Sequence, residues 1–316
     1  MLYDVFLIVI GLGLIAKGGD LFVDSSITIG QALRVPRFVI GGTLVSLATT
    51  TPELVVSAMA SSVGDSGIAL GNAIGSCICN IGLITGTVAL LVPVGVERRD
   101  FVARAGWMVA AAMLVVVFTW DRMLSRPLAM LLLTLSFAYL AWDYLGIRRR
   151  RAEAVEGEGP DTSGLTRAVT LFAFGAVMIV FGSRLLVDSG QALAEALGVP
   201  SVIIGLSVVA IGTSLPELVT GVSAARKGVP DLSIGNIIGA NVLNLFLIIG
   251  LSGTINPLTL DRFTQFYSYG WLALFFAAFI GLAMTGRFHR RGGALLLGLY
   301  GLYVAGLIVV PMLGSN

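Results

Sequence analysis

Two glutamates in this 316-residue chain carry the chemistry that the sequence suggests first. Glu53 lies in T-T-T-P-E-L-V and Glu217 in G-T-S-L-P-E-L-V, each within a long apolar stretch. In the middle of a membrane span a carboxylate costs roughly 2.5–3.5 kcal/mol or more, so a carboxylate kept there points to function. The surroundings supply more oxygen. Thr49 and Thr50 precede Glu53 at i−4 and i−3, and Thr213 and Ser214 precede Glu217 at the same spacing, which puts them on the carboxylate's face of a helix. Pro52 and Pro216 have no backbone N–H and disturb the preceding turn, freeing carbonyls there. Carboxylate, hydroxyl and carbonyl oxygens are ligands for hard cations such as Ca²⁺ and Na⁺. The thiolate and imidazole ligands that softer metals take are absent from these stretches.

The elements that hold these residues are membrane helices. Hydrophobic residues make up 56% of the chain and charged residues 12%, about half the usual share for a soluble domain. With roughly 20 apolar residues per span, the length accommodates ten, read near 3–30, 37–62, 67–92, 103–119, 125–146, 168–195, 201–226, 231–256, 266–285 and 293–312. The first apolar stretch carries Asp4 and no basic leader, so it reads as a span and not as a cleaved signal. Cys77 and Cys79 stand at i,i+2 in an apolar segment, a spacing that suits buried filler better than a metal or redox motif.

An internal repeat organises the spans. At an offset of 164 residues, 41–86 aligns with 205–250 without a gap and 17 of the 46 pairs are identical, among them Pro52/Pro216, Gly71/Gly235, Asn72/Asn236, Gly75/Gly239 and Asn80/Asn244. The match reaches back through Val35-Pro36 against Val199-Pro200. Five spans per half, an odd number, make the second half enter from the opposite side. The expected architecture is therefore an all-α integral membrane protein of ten transmembrane helices in two inverted five-helix repeats, 1–147 and 167–316, joined by a linker at 148–166. Loops after odd-numbered spans hold fifteen Lys and Arg, Arg98, Arg99 and Arg104 among them, against three on the other side. The positive-inside rule then puts both termini outside and the linker in the cytoplasm.

The third and eighth spans form the wall facing the glutamates. Asn72, Ser76 and Asn80 recur at i,i+4 as a polar stripe, with Asn236, Ala240 and Asn244 as the counterpart. The glycine pairs Gly71/Gly75 and Gly235/Gly239 have the small-x-x-x-small spacing of closely packed membrane helices.

T-T-T-P-E with G-N-A-I-G-S-C-I-C-N, and G-T-S-L-P-E with G-N-I-I-G-A-N-V-L-N, resemble the two α-repeats of the Ca²⁺:cation antiporter superfamily. The resemblance covers nearly the whole chain and is strongest to archaeal and bacterial Na⁺/Ca²⁺ exchangers. It implies a Ca²⁺ site built from Glu53, Glu217 and the carbonyls of Thr49 and Thr213. It implies Na⁺ sites sharing the glutamates, with Ser76, Thr213, Ser214 and the Ala210 carbonyl on one side and Thr49, Thr50 and the Ser46 carbonyl on the other. Asn80 and Asn244 face the centre in this pattern. Three departures bear on Na⁺ stoichiometry: Thr50 where the second half has Ser214, Ala240 where the family has serine, and Asn244 where close archaeal relatives have aspartate.

The function expected is Na⁺ for Ca²⁺ antiport across a prokaryotic inner membrane by alternating access. The protein is expected to act as a monomer in the lipid bilayer, without cofactor, covalent catalysis or nucleic-acid partner. Two carboxylates in low dielectric repel until cations or protons neutralise them; an unneutralised site resists crossing, so exchange becomes obligatory. The first and sixth spans, with Lys17, Asp20, Asp24, Arg184 and Asp188, are expected to slide against the other eight. Competing readings are H⁺/Ca²⁺, K⁺-dependent or other divalent-cation exchange on the same scaffold, and a cation channel. Proton-coupled relatives carry G-N-A-x-E where this chain has Gly71-Asn72-Ala73-Ile74-Gly75. A zinc protease needs H-E-x-x-H, and the lone histidine, His289, lies in a basic loop.

Overall fold

The structure is a computed structural model that describes residues 2–153, 164–196, 210–262 and 264–313. Most of the 148–166 linker, the Val199-Pro200 match and the first nine residues of the seventh expected span lie outside the described residues. The described chain is helical: α1 (Leu2–Ala32), α2 (Arg37–Thr49), α3 (Thr51–Ser62), α4 (Ser66–Leu91), α5 (Arg98–Phe118), α6 (Arg126–Glu153), α7 (Leu165–Ala196), α8 (Ala210–Thr213), α9 (Leu215–Arg226), α10 (Pro230–Ile255), α11 (Tyr269–Met284) and α12 (Arg290–Leu313). Seven described helices are long and apolar enough to cross a membrane, eight with the bent pair α2–α3 as one span. The protein is a multi-pass membrane protein.

Local chemistry sets the helix ends. Gly64 and Gly228 take φ of +84° and +71° just past α3 and α9, the left-handed conformation that ends a helix and that glycine adopts without a Cβ penalty. Asp65 then caps α4, accepting from the N–H of Ile68 at 2.9 Å, and Pro230 opens α10 where its missing N–H costs nothing.

Burial ranks the helices. In their most apolar windows 72% of α4 and 89% of α10 is buried, against 28% of α1, α6 and α7, so α4 and α10 form the centre and the others present apolar side chains such as Phe6, Val9, Phe174 and Phe181 outward. Long helices α1 and α7 run antiparallel in close contact. A Cβ on Gly11 would come 2.9 Å from the Gly182 carbonyl oxygen, and one on Gly175 would come 2.9 Å from that of Gly18; only glycine permits this approach. The α2–α10 interface is as tight, with Gly41 against the Leu232 carbonyl and Gly235 against that of Phe38. Among the described residues nothing lies within 4 Å of a Cβ placed on Gly71 or Gly75, so the close packing expected of both glycine pairs is seen here for Gly235 and Gly239.

Two short strand pairs join loops distant in sequence. Val94–Gly95 (β1) pairs antiparallel with Arg287–Phe288 (β4), and Met123–Leu124 (β2) pairs with Leu258–Thr259 (β3). One expectation is corrected. Arg104, read as a cytoplasmic loop residue, is buried in α5, where it forms an ion pair with Asp143 of α6 and stacks on Phe38 and Trp142 at 5.5 and 5.7 Å. α5 begins at Arg98, five residues before the expected start, and the buried charge of Arg104 has its counter-charge on α6.

Candidate cation site

Each glutamate sits just past a break in its helix. Thr50 leaves helical geometry with φ −79° and ψ 1°, and Ser214 does so with φ −88° and ψ 7°. Pro52 and Pro216 follow at the start of α3 and α9; lacking an N–H, they give nothing to the carbonyls of Ala48 and Gly212. The axes of α2 and α3 bend by 43° at Thr50. Broken backbone at membrane depth survives where it is enclosed in protein or lines a cavity.

Glu53 and Glu217 are both fully buried, and among the described residues none of their four carboxylate oxygens has a hydrogen-bond partner of ordinary geometry, although the Ser214 hydroxyl lies beside Glu53 and the Thr49 hydroxyl beside Glu217. The two side chains lie close enough to act on each other electrostatically. Asn80 of α4 and Asn244 of α10 are also buried, and among the described residues each has an Oδ1 without a partner. The Nδ2 of Asn80 donates to Oδ1 of Asn241 at 3.0 Å, and that of Asn244 donates to the Ala240 carbonyl at 3.0 Å. Both asparagines begin π-helical turns, Asn80–Thr85 and Asn244–Ile248, a distortion common at functional sites. Among the described residues no three His, Cys, Asp or Glu side chains come together, so the glutamate pair is the concentration of negative charge. A buried anion without a hydrogen-bond donor is unstable unless a cation or a proton neutralises it.

Around this centre the hydroxyls and the outer asparagines cross-brace the halves. Thr49 Oγ1 donates to Oδ1 of Asn236 at 3.2 Å, and Thr213 Oγ1 to Oδ1 of Asn72 at 3.1 Å. Asn72 also donates to Ser57 Oγ at 2.9 Å and to the Glu53 carbonyl at 3.2 Å. The Ser214 and Ser76 hydroxyls lie 3.4 Å apart. Thr50 Oγ1 instead donates to the Ser46 carbonyl, and Ser46 Oγ donates to that of Thr43 at 3.0 Å. Ala210 begins the short helix α8; its side chain lies outside the described residues. Glu53, Glu217, Asn80 and Asn244 thus keep side-chain oxygens without partners among the described residues, while Thr49 pairs with Asn236 and Thr213 with Asn72. Three supporting residues, Ser57, Asn241 and Met108, are not flagged by the motifs. Asn241 had a readable signal, since it departs from Cys77 at the equivalent place in the repeat.

A sequence profile of the sodium/calcium exchanger protein family matches residues 3–145 and 167–309. The chain belongs to that family. Among relatives of the family, the sodium/calcium exchanger MaX1 of Methanosarcina acetivorans is 35% identical, with 96% of this chain and 97% of that one aligned. The inner membrane protein YrbG of Escherichia coli is 30% identical over 87% of this chain and 86% of its own. Among solved structures, the sodium-calcium exchanger NCX_Mj soaked with 10 mM Na⁺ and no Ca²⁺ superposes with a TM-score of 0.83 at 30% identity, covering 96% of this chain and 98% of that one.

Proposed function

We propose that this member of the exchanger family is a secondary antiporter that exchanges Na⁺ for Ca²⁺ at one site between Glu53 and Glu217. The observation that carries the proposal is the set of six buried oxygens without hydrogen-bond partners among the described residues, four from the carboxylates and two from Asn80 and Asn244. Six oxygens, two of them from amides, suit a Ca²⁺ ion, which takes 6–8. The same carboxylates, with Ser76, Ser214 and the carbonyls of Thr49, Thr213, Ala210 and Ser46, serve Na⁺ in turn. Asn72 and Asn236 orient Thr213 and Thr49 in this scheme.

The proposed architecture is two inverted halves, 1–147 and 167–316, with ten spans, both termini outside and the 148–166 linker in the cytoplasm of a prokaryotic inner membrane. The strand pairs support it. The loop after α4 meets the loop after α11, and the loop after α5 meets the loop after α10; loops at equivalent places in the two halves therefore join different pairs, as inversion requires. Alternating access comes from α1 and α7 moving together against the remaining helices. Their tight mutual contact supports this, as does the groove of about 540 Å³ between α7 and the break, lined by Ala48, Thr51, Phe172, Val180, Phe181 and Arg184.

The test is ⁴⁵Ca²⁺ uptake into Na⁺-loaded proteoliposomes diluted into sodium-free buffer. Uptake that requires internal Na⁺ and is lost in Glu53→Gln and in Glu217→Gln is the expected result. Uptake driven by a proton gradient without Na⁺ assigns the protein to H⁺ coupling, and undiminished uptake in both variants removes the glutamates from the site.

A further inference from the structure

Asn241 is buried on α10, close to one turn before Asn244, and belongs to none of the ligand groups above. Both ends of its side chain are engaged. Its Oδ1 accepts from Nδ2 of Asn80 at 3.0 Å, and its Nδ2 donates to Sδ of Met108 at 3.7 Å. Its backbone carbonyl accepts from Sγ of Cys77, also at 3.7 Å. A thioether sulfur accepts hydrogen bonds and cannot donate one. Met108 therefore sets the direction of the whole relay. Asn241 must turn its nitrogen to the sulfur and its oxygen to Asn80, and Asn80 must answer with its nitrogen. The Oδ1 of Asn80, buried and without a partner among the described residues, is what remains to take a cation. Reversing Asn80 would oppose two carbonyl oxygens and aim an NH₂ group at the cation.

We infer that Asn241 is a positioning residue that aims the side-chain oxygen of Asn80 at the transported cation, an inference that rests on the two-glutamate reading. Asn241 itself stays outside the ligand shell. The two halves differ at this point: Cys77 occupies the equivalent place, and the Asn244 amide is held by its own helix through Ala240. Asn80 is thus locked by a contact running to α5, whereas Asn244 is braced locally. A divalent ion gathers more oxygen ligands than Na⁺ and gains more from each one held in place. Loosening Asn80 should therefore weaken Ca²⁺ binding more than Na⁺ binding.

The experiment is a double-substitution cycle read as the KM for Ca²⁺ in Na⁺-loaded proteoliposomes. Asn241→Cys, which installs the first half's residue, is expected to raise KM by roughly three- to tenfold with little change in maximal rate. Asn80→Ala should raise it at least as far, and Asn241→Cys added to Asn80→Ala should raise it no further. A residue that only packs α10 would lower the thermal midpoint in detergent and add its effect to that of Asn80→Ala. Additivity, or an unshifted KM in folded Asn241→Cys, overturns the inference. Should Asn241→Cys not fold, Met108→Leu conserves the shape and removes the acceptor; a raised KM there supports the relay and an unchanged one overturns it. Glu53→Gln measured alongside separates the two readings: transport surviving in Glu53→Gln sinks the glutamate site, while its loss beside an unshifted Asn241→Cys sinks the relay alone.

Discussion

Ser76 and Ser214 place two hydroxyls 3.4 Å apart, on one side of the glutamates in the proposed site. On the other side Thr50 is bonded to the Ser46 carbonyl and Ala240 has no hydroxyl. Na⁺ activation should reflect this inequality. Ser76→Ala is expected to raise the half-activating Na⁺ concentration by roughly three- to tenfold, the worth of one lost polar contact. Ala240→Ser, which adds an oxygen on the poorer side, should lower it, and Na⁺ titration of ⁴⁵Ca²⁺ uptake reads both. The chemistry-bearing residues were legible because they come twice: a glutamate, a proline and two hydroxyls repeat at one offset, which shared oiliness cannot produce. What Asn72 and Asn236 do was not legible. Their partners, Thr213 and Thr49, lie 141 and 187 residues away, and spacing along one helix says nothing about a bond between halves. The relay through Asn241 escaped for the same reason: the mismatch with Cys77 marks the position, but its partners Asn80 and Met108 lie 161 and 133 residues away.

Among the elements, α2, α5 and α6 are tied by the ion pair of Arg104 and Asp143, with Tyr139 donating to the Gly42 carbonyl at 3.2 Å beside it. Removing one member of a buried pair strands the other, at about 3–5 kcal/mol. Arg104→Met should therefore lower the thermal midpoint in detergent sharply, and Arg104→Met with Asp143→Leu should recover most of the loss. Sequence pattern placed most of the described helix ends to within about three residues, but α6 runs seven residues past its expected end and α5 starts five residues early, where a charge near the end of an apolar run reads as loop until its partner on another helix is seen. A weaker tie joins α1 to α9. Lys227 lies 2.6 Å from Asp24 and 3.8 Å from Asp20, and Ser223 donates to Asp20 at 3.0 Å. These groups are partly exposed, so the pairs are worth about 0–1 kcal/mol and are screened by salt. If α1 slides, Lys227→Ala should shift the balance between the two access states by up to about fivefold at low ionic strength. A distance measured between spin labels on α1 and α9 should report that shift, and the shift should fade in high salt.

For the molecule as a whole, the strand pairs sort the loops into two faces. Both native cysteines are buried, so single introduced cysteines can be mapped against a quiet background. Cysteine at Asp121, beside β2, is expected to react with an impermeant maleimide from the outside of intact cells; cysteine at Thr285, beside β4, should react only after permeabilisation. Labelling of both from the same face would contradict the inverted arrangement. An odd span count and the basic loops set up the expectation of inverted topology that this labelling tests, whereas the choice of which loops pair depends on the assembled bundle. The contact between α1 and α7 also bears on how the protein is made. α1 is synthesised before α7 and keeps its glycine face, Gly11 and Gly18, for a partner that follows it by more than a hundred residues. At roughly 5–20 residues per second, α1 waits on the order of ten seconds for that partner. During that interval the glycine face has to be tolerated by lipid, by the insertion machinery or by a provisional neighbour, so α1 completes its assembly late although it enters the membrane well before α7.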